Sequence, residues 1–327
     1  MKAIVVKQLG NRDALALEEV EAAAPAPGEV SIAVRAVSLN FPDLMMIDGS
    51  YQIKPALPFV LGKDAAGVVL AAGEGVTRVA EGGRVLVQLH HGAFAERITV
   101  PAQNVFPLPA AVSFEKAAAL GLTFKTAWLG LIDRAQIKAG ESLLVLGASG
   151  GVGLAAVQLA KALGVRVIAG LTTPAKADLV RKAGVDRIVH LDTDADTIRR
   201  DILAANQGKA VDVVLDTVGG AALEAAIRAV AWKGRVLIVG FTSGAVPALR
   251  ANHLLIKNIG VLGVGSNTYE DEAPDLLDRA FAEVLALAEQ GRIDPVIHAA
   301  YPFTQFAKAI SDVAERRAVG KVVLTIP

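Results

Sequence analysis

The second half of the chain is organised by six short apolar runs separated by helix-length segments. The runs are continuous rather than alternating, which indicates strands buried on both faces, as in a parallel sheet covered by helices. They lie at residues 143–146, 165–169, 187–191, 211–215, 235–239 and 259–264. Because each gap leaves room for one crossover helix, the pattern predicts an α/β fold with a six-stranded, doubly wound dinucleotide-binding sheet.

A glycine-rich turn follows the first of these runs and opens an apolar helix. Glycines at a strand-to-helix turn let the backbone approach a pyrophosphate, whose charge is held by free N–H groups at the helix N-terminus. We therefore expect cofactor contacts from Ala148, Ser149, Gly150, Gly151, Val152 and Gly153.

The loop after the second run indicates which dinucleotide binds. An NAD site usually presents Asp or Glu there to the ribose 2′-hydroxyl. This chain has no acid before Asp178 and offers Thr172, Thr173 and Lys176 instead. The loop therefore favours the 2′-phosphate of NADPH. A purely structural alternative stays open, in which Thr173 caps a helix that begins at Pro174 and Lys176 is solvated.

The first 120 residues alternate apolar and polar side chains, which predicts an irregular domain of antiparallel strands. After residue 265 the sequence predicts helices at 275–290 and 305–316 and a last strand at 321–326. These residues are too few for a third domain. We expect residues 1–121 and 265–327 to form a β-rich catalytic domain and residues 122–264 to form the nucleotide domain.

Charge and cysteine content exclude several classes of function. The chain has 33 Lys+Arg against 33 Asp+Glu and no basic run, which argues against nucleic acid or an anionic membrane as its main partner. It has no cysteine, so disulfides, thiol chemistry and cysteine zinc sites are excluded. The start of the chain predicts a short strand rather than a signal peptide, and we expect a cytoplasmic protein.

Six motifs in order along the whole chain resemble the zinc-free NADPH:quinone oxidoreductase branch of the medium-chain dehydrogenase/reductase superfamily. They are Asn40-Phe-Pro-Asp43, Gly62-Lys-Asp-Ala-Ala-Gly67, Gly121-Leu-Thr-x-x-Thr-Ala127, Ala148-Ser-Gly-Gly-Val-Gly153 with Gln158-Leu-Ala-Lys161, Asp216-Thr-Val-Gly219, and Gly320-Lys-Val-Val-Leu324. The resemblance implies a GroES-like catalytic domain joined to a Rossmann domain. It also places Asn40, Lys63 and Leu122 where zinc-dependent members carry Cys, His and Cys, which implies a site without metal.

The resemblance also implies roles for individual residues. Asn40 and Asp43 are expected in the catalytic site, where the Asn40 amide would orient the acceptor oxygen; the alternative is a turn amide before Pro42. Thr123 and Thr126 match threonines near the cofactor, and Arg317 matches an arginine associated with the 2′-phosphate. Phe241 and Ser243 follow the fifth strand, at the edge where a doubly wound sheet holds its ligand, and Asn252 lies in the loop that the family uses near the nicotinamide. Where the branch often has a tyrosine after the third strand, this chain has His190-Leu191.

Tyr51 has three interpretations. Its spacing from Asn40 resembles enoyl-thioester reductases, in which a tyrosine at this spacing is a proton donor or anchors the enolate. Quinone reductases often carry a tyrosine here as a lid over the quinone, and a packed loop aromatic is also possible. A phenol with an ordinary pKa near 10 is a competent neutral donor at pH 7.

The sequence therefore predicts an NADPH-dependent reductase that transfers hydride to a quinone or a related conjugated carbonyl. The first alternative is an enoyl-CoA or acrylyl-CoA reductase, and the second is a non-catalytic protein that binds NADPH or RNA. We expect a small-molecule substrate and no membrane. The apolar strand at 259–264 is expected at a sheet edge, and pairing of that edge predicts a homodimer.

Overall fold

The computed structural model of the protein describes all 327 residues, which form two compact units. The first unit comprises Met1–Thr123, Ala273–Gly291 and Pro295–Pro327, and the second comprises Phe124–Glu272 and Arg292–Asp294. The functional roles assigned from sequence to residues 1–121 plus 265–327 and to residues 122–264 stay predictions.

Strands predominate up to residue 107, and strands and helices largely alternate from residue 142 onwards. The strands are β1 (Lys2–Val6), β2 (Leu15–Glu19), β3 (Glu29–Leu39), β4 (Phe59–Val60), β5 (Asp64–Ala72), β6 (Arg84–Gln88), β7 (Arg97–Pro101), β8 (Val105–Pro107), β9 (Ser142–Leu146), β10 (Arg166–Leu171), β11 (Arg187–His190), β12 (Val211–Asp216), β13 (Val230–Ile238), β14 (Gly260–Gly263), β15 (Ile297–Pro302) and β16 (Lys321–Thr325). The helices are α1 (Phe41–Ile47), α2 (Phe114–Trp128), α3 (Gly151–Ala162), α4 (Ala177–Lys182), α5 (Ala195–Ala205), α6 (Gly220–Ile227), α7 (Ala251–Lys257), α8 (Tyr269–Glu272), α9 (Pro274–Glu289) and α10 (Phe306–Ala314). Short 3₁₀ turns lie at Arg12–Ala14, Ala102–Asn104, Pro174–Lys176 and Phe303–Gln305, and a π-helical turn at Leu129–Arg134.

Two sheets build the first unit. A seven-stranded sheet has the order β15-β16-β3-β5-β6-β8, with β7 also paired to β3, and a three-stranded sheet has the order β2-β1-β4. The last strand β16 runs antiparallel to β3, so Val322 lies opposite Leu39 and Val323 opposite Ser38. The C-terminal residues therefore complete a sheet that the N-terminal residues begin. The helices predicted after residue 265 correspond to α9 and α10.

The second unit confirms the parallel six-stranded sheet. Its order is β11-β10-β9-β12-β13-β14, and every neighbouring pair is parallel. The apolar runs of the central strands β9, β10 and β12 are mostly buried, as expected for strands that are covered on both faces, with Leu144 and Val214 wholly inaccessible to solvent. The edge strands β11 and β14 are mainly half-buried or exposed. The strand order reverses between β9 and β12, and such a reversal is where doubly wound sheets bind ligands.

The glycine turn follows β9 and packs closely at this reversal, since two of its glycines have no room for a side chain. Gly147 has a φ of +79°, and a Cβ there would lie 2.3 Å from Oγ1 of Thr217, which follows β12. A Cβ on Gly153 would lie 2.3 Å from the carbonyl oxygen of Gly147 and 2.7 Å from Cα of Ala148. Gly150, between these two glycines, has room for a side chain: a Cβ there would lie 3.5 Å from the carbonyl oxygen of Gly147, an ordinary contact distance. The turn is therefore held tightly at its two ends and left open in the middle.

This difference predicts contrasting effects for two otherwise identical substitutions. Gly153→Ala forces backbone atoms apart, and we expect a loss of about 1–3 kcal/mol, seen as a lower thermal unfolding midpoint. Gly150→Ala is the matched control and should unfold at or slightly above the wild-type temperature, since it removes freedom only from the unfolded chain. Equal midpoints for the two variants would contradict this account of the turn.

Candidate functional site

The end of β3 and the start of α1 place Asn40 and Asp43 inside the first unit. Asn40 precedes α1, and its backbone N–H donates to Oδ2 of Asp43 at 2.7 Å. Asn40 is 4% exposed and Asp43 is fully buried. Two of the three residues predicted to be catalytic are thus neighbours in space, joined by a hydrogen bond from the Asn40 backbone to the Asp43 carboxylate.

The side-chain amide of Asn40 is bonded at both ends to protein groups. Its Nδ2 donates to Oδ2 of Asp64 at 2.9 Å and to the carbonyl of Ser38 at 3.3 Å. Its Oδ1 accepts from the ammonium group of Lys321. The amide orientation is therefore set from inside the unit. Its predicted role in orienting an acceptor oxygen stays a prediction.

Asp64 is the centre of this buried network. Besides Asn40 it accepts from the backbone N–H of Leu122 at 2.9 Å. Oγ of Ser38, which donates to the carbonyl of Ala118 at 2.7 Å, lies 3.4 Å from its Oδ2. A Cβ on Gly121 would lie 2.3 Å from its Oδ1, and α2 departs from helical geometry at that glycine. The carboxylate thus occupies the space that glycine leaves, and α2 kinks around it.

Lys321 supplies the positive charge of the network. Its Nζ donates to the carbonyl of Leu39 at 2.8 Å and lies 3.8 Å from Oδ2 of Asp64. Burial lowers the pKa of Lys321, and the charges of Asp64 and Asp43 oppose that change. A charge this deeply buried is tolerated because it is paired and hydrogen-bonded.

A second buried lysine lies near the first group of charges. Lys63 has no exposed surface, and its Nζ donates to the carbonyl of His90 at 2.7 Å. The same Nζ lies 4.9 Å from the centre of the Tyr51 ring, which is half-buried in the loop after α1. Asn40, Asp43, Lys63 and Tyr51 therefore all belong to one region of the first unit.

Asp43 has an unusual protonation equilibrium. Burial raises the pKa of Asp43 to about 7, against the backbone hydrogen bond from Asn40 and the positive charges of Lys63 and Lys321. One of its oxygens, Oδ1, has no hydrogen-bond partner. Near pH 7 both the protonated and the ionised form of Asp43 are therefore populated.

A pH dependence of stability follows from Asp43. The folded protein holds this proton up to about pH 7, whereas the unfolded chain releases it near pH 4. The contribution of Asp43 to stability therefore falls as the pH rises from about 4 to about 7, and is constant above that. We expect the unfolding free energy of wild type to fall relative to that of Asp43→Asn across this range in denaturant titrations. The exposed control Asp13→Asn should follow wild type, and parallel curves for wild type and Asp43→Asn would contradict the prediction.

The predicted cofactor loop forms a suitable cradle in the second unit. Gly150 precedes α3, which begins at Gly151 and contains Val152 and Gly153 in its first turn. Helix geometry leaves the first N–H groups of α3 without partners in the helix, and they point towards its N-terminus. Ala148 is buried, whereas Ser149 is half-buried and Gly150 exposed. These features fit a dinucleotide pyrophosphate.

The residues predicted to read the 2′-phosphate follow β10. Thr172 and Thr173 are exposed, and Lys176 ends the 3₁₀ turn Pro174–Lys176. Thr173 stands at the cap position of this turn, but its side chain makes no capping hydrogen bond. The first acid beyond them, Asp178, is paired with Arg181 at 2.7 Å. The surroundings of this loop are therefore favourable for an additional phosphate.

The remaining predicted cofactor residues fall into two groups. In the second unit, Oγ1 of Thr126 lies 3.4 Å from Oγ of Ser266, while Phe241, Ser243 and Asn252 are exposed after β13 and on α7. In the first unit, Thr123 donates to the carbonyl of Ala119 within α2.

Arg317 also lies in the first unit and is bonded to acids of its own neighbourhood. Its guanidinium contacts Asp312 at 2.8 Å and also Glu315, and these partners raise the pKa of Arg317. Its predicted role at the 2′-phosphate stays a prediction.

The charged network itself was not predicted from the sequence. Asp64 and Lys321 were noted only as members of motifs, and Lys63 only as the residue at a zinc-ligand position. A signal was present, since Lys321 begins the apolar strand Lys321-Val-Val-Leu324 and Lys63-Asp64 precedes Ala65-Ala66. Charged residues at the start of buried strands require partners, and that requirement indicates a buried ionic cluster.

Comparison with known proteins agrees with this architecture. The sequence matches the family described as alcohol dehydrogenase GroES-like domain over residues 26–110 and zinc-binding dehydrogenase over residues 151–282. It is 32% identical over 299 residues to a quinone oxidoreductase-like protein 2 homolog of Nematostella vectensis, covering 90% of this chain and 81% of that protein. It is 39% identical over 310 residues to the spectinabilin polyketide synthase system protein NorB of Streptomyces orinoci, which is 94% of this chain and 14% of that protein.

Solved structures extend the similarity to the fold. Escherichia coli quinone oxidoreductase complexed with NADPH has a TM-score of 0.90 at 31% identity, with both chains covered completely. A mycobacterial protein complexed with NADPH has a TM-score of 0.91 at 30% identity, again over both whole chains. The CurK enoyl reductase has a TM-score of 0.88 at 28% identity, covering 100% of this chain and 99% of that one.

A GroES-like unit and a Rossmann unit with a glycine-rich cofactor turn define a two-domain oxidoreductase. The chain belongs to the quinone oxidoreductase branch of the medium-chain dehydrogenase/reductase superfamily. Nowhere do three or more His, Cys, Asp or Glu side chains gather in an arrangement that could hold a metal ion.

No helix in the structure is both long enough and apolar enough to span a bilayer.

Proposed function

We propose that this protein reduces a quinone or a related conjugated carbonyl with hydride from NADPH, without a metal. The observation that carries the proposal is the chemistry of Asn40, Lys63 and Leu122, which stand at the positions of zinc ligands in zinc-dependent relatives. The Asn40 amide is bonded to protein groups, Leu122 is apolar, and Lys63 places a buried amine where an imidazole would bind zinc. These residues do not form a ligand set.

NADPH is the cofactor that the second unit fits. The open space at Gly150 and the first turn of α3 suit its pyrophosphate, and Thr172, Thr173 and Lys176 suit its 2′-phosphate. When bound, NADPH supplies a hydride to an electron-poor acceptor. Such acceptors need mainly correct positioning and a hydrogen-bond donor, because they already accept electrons readily.

The first unit offers the groups that would handle the acceptor. Tyr51 has the only half-exposed side chain of the four that form the site, and its phenol is a neutral proton donor at pH 7. Asn40 and Asp43 fix the backbone where β3 ends and α1 begins, and Tyr51 lies in the loop that follows α1. We assign proton donation to Tyr51 and a supporting role to the two buried residues.

Cofactor preference can be tested at Lys176. Its replacement by alanine should raise the KM for NADPH about tenfold and leave the KM for NADH unchanged, because one charged contact to an exposed phosphate is lost. Lys182→Ala, an exposed lysine at the end of α4, is the matched control and should behave as wild type. An equal effect of Lys176→Ala on both cofactors would contradict this assignment.

The second candidate function is reduction of an enoyl thioester. It is favoured by the similarity to the CurK enoyl reductase and to NorB, a polyketide synthase system protein. Its chemistry differs from quinone reduction in the acceptor, since hydride goes to the β-carbon of a thioester-activated alkene.

The acceptor is tested by mixing the protein anaerobically with NADPH and one acceptor at a time. We expect rapid loss of NADPH absorbance with 1,4-benzoquinone or an enone, and a kcat/KM at least about tenfold lower with crotonyl-CoA. A higher kcat/KM with the thioester would transfer the assignment to enoyl reduction. Tight NADPH binding without turnover on any acceptor, with a salt-dependent shift on RNA, would instead support the non-catalytic alternative.

Assembly and location complete the proposal. β14 is the edge strand of its sheet, and the nearby helix α7 exposes Leu255 and Ile256 at 78% and 73%. A homodimer that covers these groups is consistent with an apolar edge that would otherwise remain bare. The cytoplasmic location and the absence of a nucleic-acid partner also stay proposals, based on cysteine content and charge.

A further inference from the structure

Lys63 is a buried cation that no step of the proposed reaction uses. Its ammonium donates to the neutral carbonyl of His90 at 2.7 Å and lies on the face of the Tyr51 ring, 4.9 Å from its centre. A desolvated ammonium on an aromatic face is attracted by the negative charge of that face. The same charge also acts on the phenol oxygen of the ring.

Both partners of this contact are held by backbone hydrogen bonds. The carbonyl of Lys63 accepts from the N–H of Leu89 at 2.8 Å, and that of Gly62 accepts from Ala93 at 3.0 Å. Gly62 has a φ of +98°, and a Cβ there would overlap the Phe94 ring. On the other side, the N–H of Tyr51 donates to the carbonyl of Met45 in α1 at 3.1 Å. The geometry between cation and ring is therefore fixed by the fold.

We propose that Lys63 is a positioning residue for Tyr51, whose tyrosinate form it stabilises so that the phenol can give up its proton during reduction. The part of the inference that concerns proton donation rests on the proposed reductase function. The electrostatic effect of Lys63 on Tyr51 does not, and it can be measured in the absence of any acceptor.

NADPH bound to the second unit would supply a hydride, with the electron pair of its C4–H bond, to the electrophilic atom of the acceptor. The reduced acceptor carries the charge on oxygen, which takes the proton of Tyr51 as the phenol O–H bond breaks. Tyr51 remains as tyrosinate beside Lys63 and regains a proton from solvent. In sum, NADPH, acceptor and one proton give NADP⁺ and reduced acceptor.

Other titratable groups surround Lys63 on several elements. Asp43 on α1 and His91 after β6 interact electrostatically with Lys63, and Asp64 on β5 and Lys321 on β16 act on Asp43. The pKa of Asp43 is about 7, and burial lowers the pKa of His91 below its usual value. Both groups therefore finish titrating below about pH 8 and hold constant charge in the range where a tyrosine titrates.

The chain has three tyrosines, and two of them, unlike Tyr51 beside the Lys63 ammonium, donate hydrogen bonds to carboxylates. Tyr269 donates to Asp133 at 2.7 Å, and burial together with this bond raises its pKa to about 12. Tyr301 donates to Asp312 at 2.6 Å, which raises its pKa as well. Tyr51 should accordingly be the first tyrosine to ionise as the pH rises.

Ultraviolet titration of tyrosinate in the protein without ligands tests the electrostatic effect. We expect the tyrosinate absorbance of wild type to rise in one step that lies at least about one pH unit below the ordinary tyrosine pKa near 10. An adjacent positive charge, here the Lys63 ammonium, favours the ionised phenol and lowers its pKa by this amount. Tyr51→Phe should lack this step. In Lys63→Met it should move up to about 10 or beyond, whereas Lys63→Arg should keep it low. Lys54→Met, an exposed lysine in the loop that carries Tyr51, is the matched control and should leave the step in place.

A first step that survives in Tyr51→Phe, or that does not move in Lys63→Met, would overturn the proposal. Far-ultraviolet circular dichroism verifies that each variant remains folded over the titration. If Lys63→Met does not fold, the comparison of wild type, Tyr51→Phe and Lys63→Arg still decides the outcome. Wild type must then show a low step that belongs to Tyr51 and that the arginine variant retains.

Kinetics test the link to catalysis. With the acceptor that wild type reduces, Tyr51→Phe should lose about 10²-fold or more in kcat/KM. Lys63→Met should lower kcat/KM about tenfold near pH 7 and move the alkaline limb of the pH profile to higher pH. Lys63→Arg should restore both the rate and the position of this limb. Full activity in Tyr51→Phe would overturn the donor role. If no acceptor is reduced, the proposed function fails, and the titration still decides whether Lys63 controls Tyr51.

Discussion

The ion pair between Lys321 and the buried carboxylate of Asp64, bridged by the Asn40 amide, is the constraint on which the first unit depends. It connects the end of β3, the start of β5 and the last strand β16 at one point without access to water. Breaking any member leaves a charge or an amide unsatisfied in the interior, which costs far more than the pair itself contributes. The network therefore specifies one arrangement of these strands, including the position of the C-terminal strand.

This constraint also determines which polar side chains of the first unit are engaged in structure and which one is left at the surface of the network. Both amide atoms of Asn40 are hydrogen-bonded, Asp64 accepts from Leu122 as well as from Asn40, and Gly121 is required to leave space for the carboxylate. Tyr51 is half-buried in this region, with the ammonium of Lys63 on the face of its ring. The buried polar residues of the first unit thus stabilise its fold, while the proposed effect of Lys63 on the pKa of the Tyr51 phenol concerns a side chain outside this network.

The sequence predicted the second unit well because its signals are local. Continuous apolar runs report burial on both faces of a strand, and the glycines of the turn at 147–153 report close backbone contacts, so both could be interpreted without knowledge of distant residues. The first unit was harder to predict. Nothing near Lys321 in sequence shows that Asn40 lies beside it, since the two are 281 positions apart. The partners of Lys63 and of Arg317 likewise depend on tertiary contacts, and the kink of α2 at Gly121 depends on Asp64.

The central claim of this account is that a protein cation and a phenol, rather than a metal, support hydride reduction. The most direct measurement is the rate of acceptor reduction as a function of zinc bound to the protein, with C4-deuterated NADPH as the donor. When a chelator lowers the zinc content to well below one ion per chain, the rate of acceptor reduction should stay unchanged. Deuterium from the labelled NADPH should appear in the reduced enone. A rate proportional to bound zinc, restored when zinc is added back, would contradict this claim.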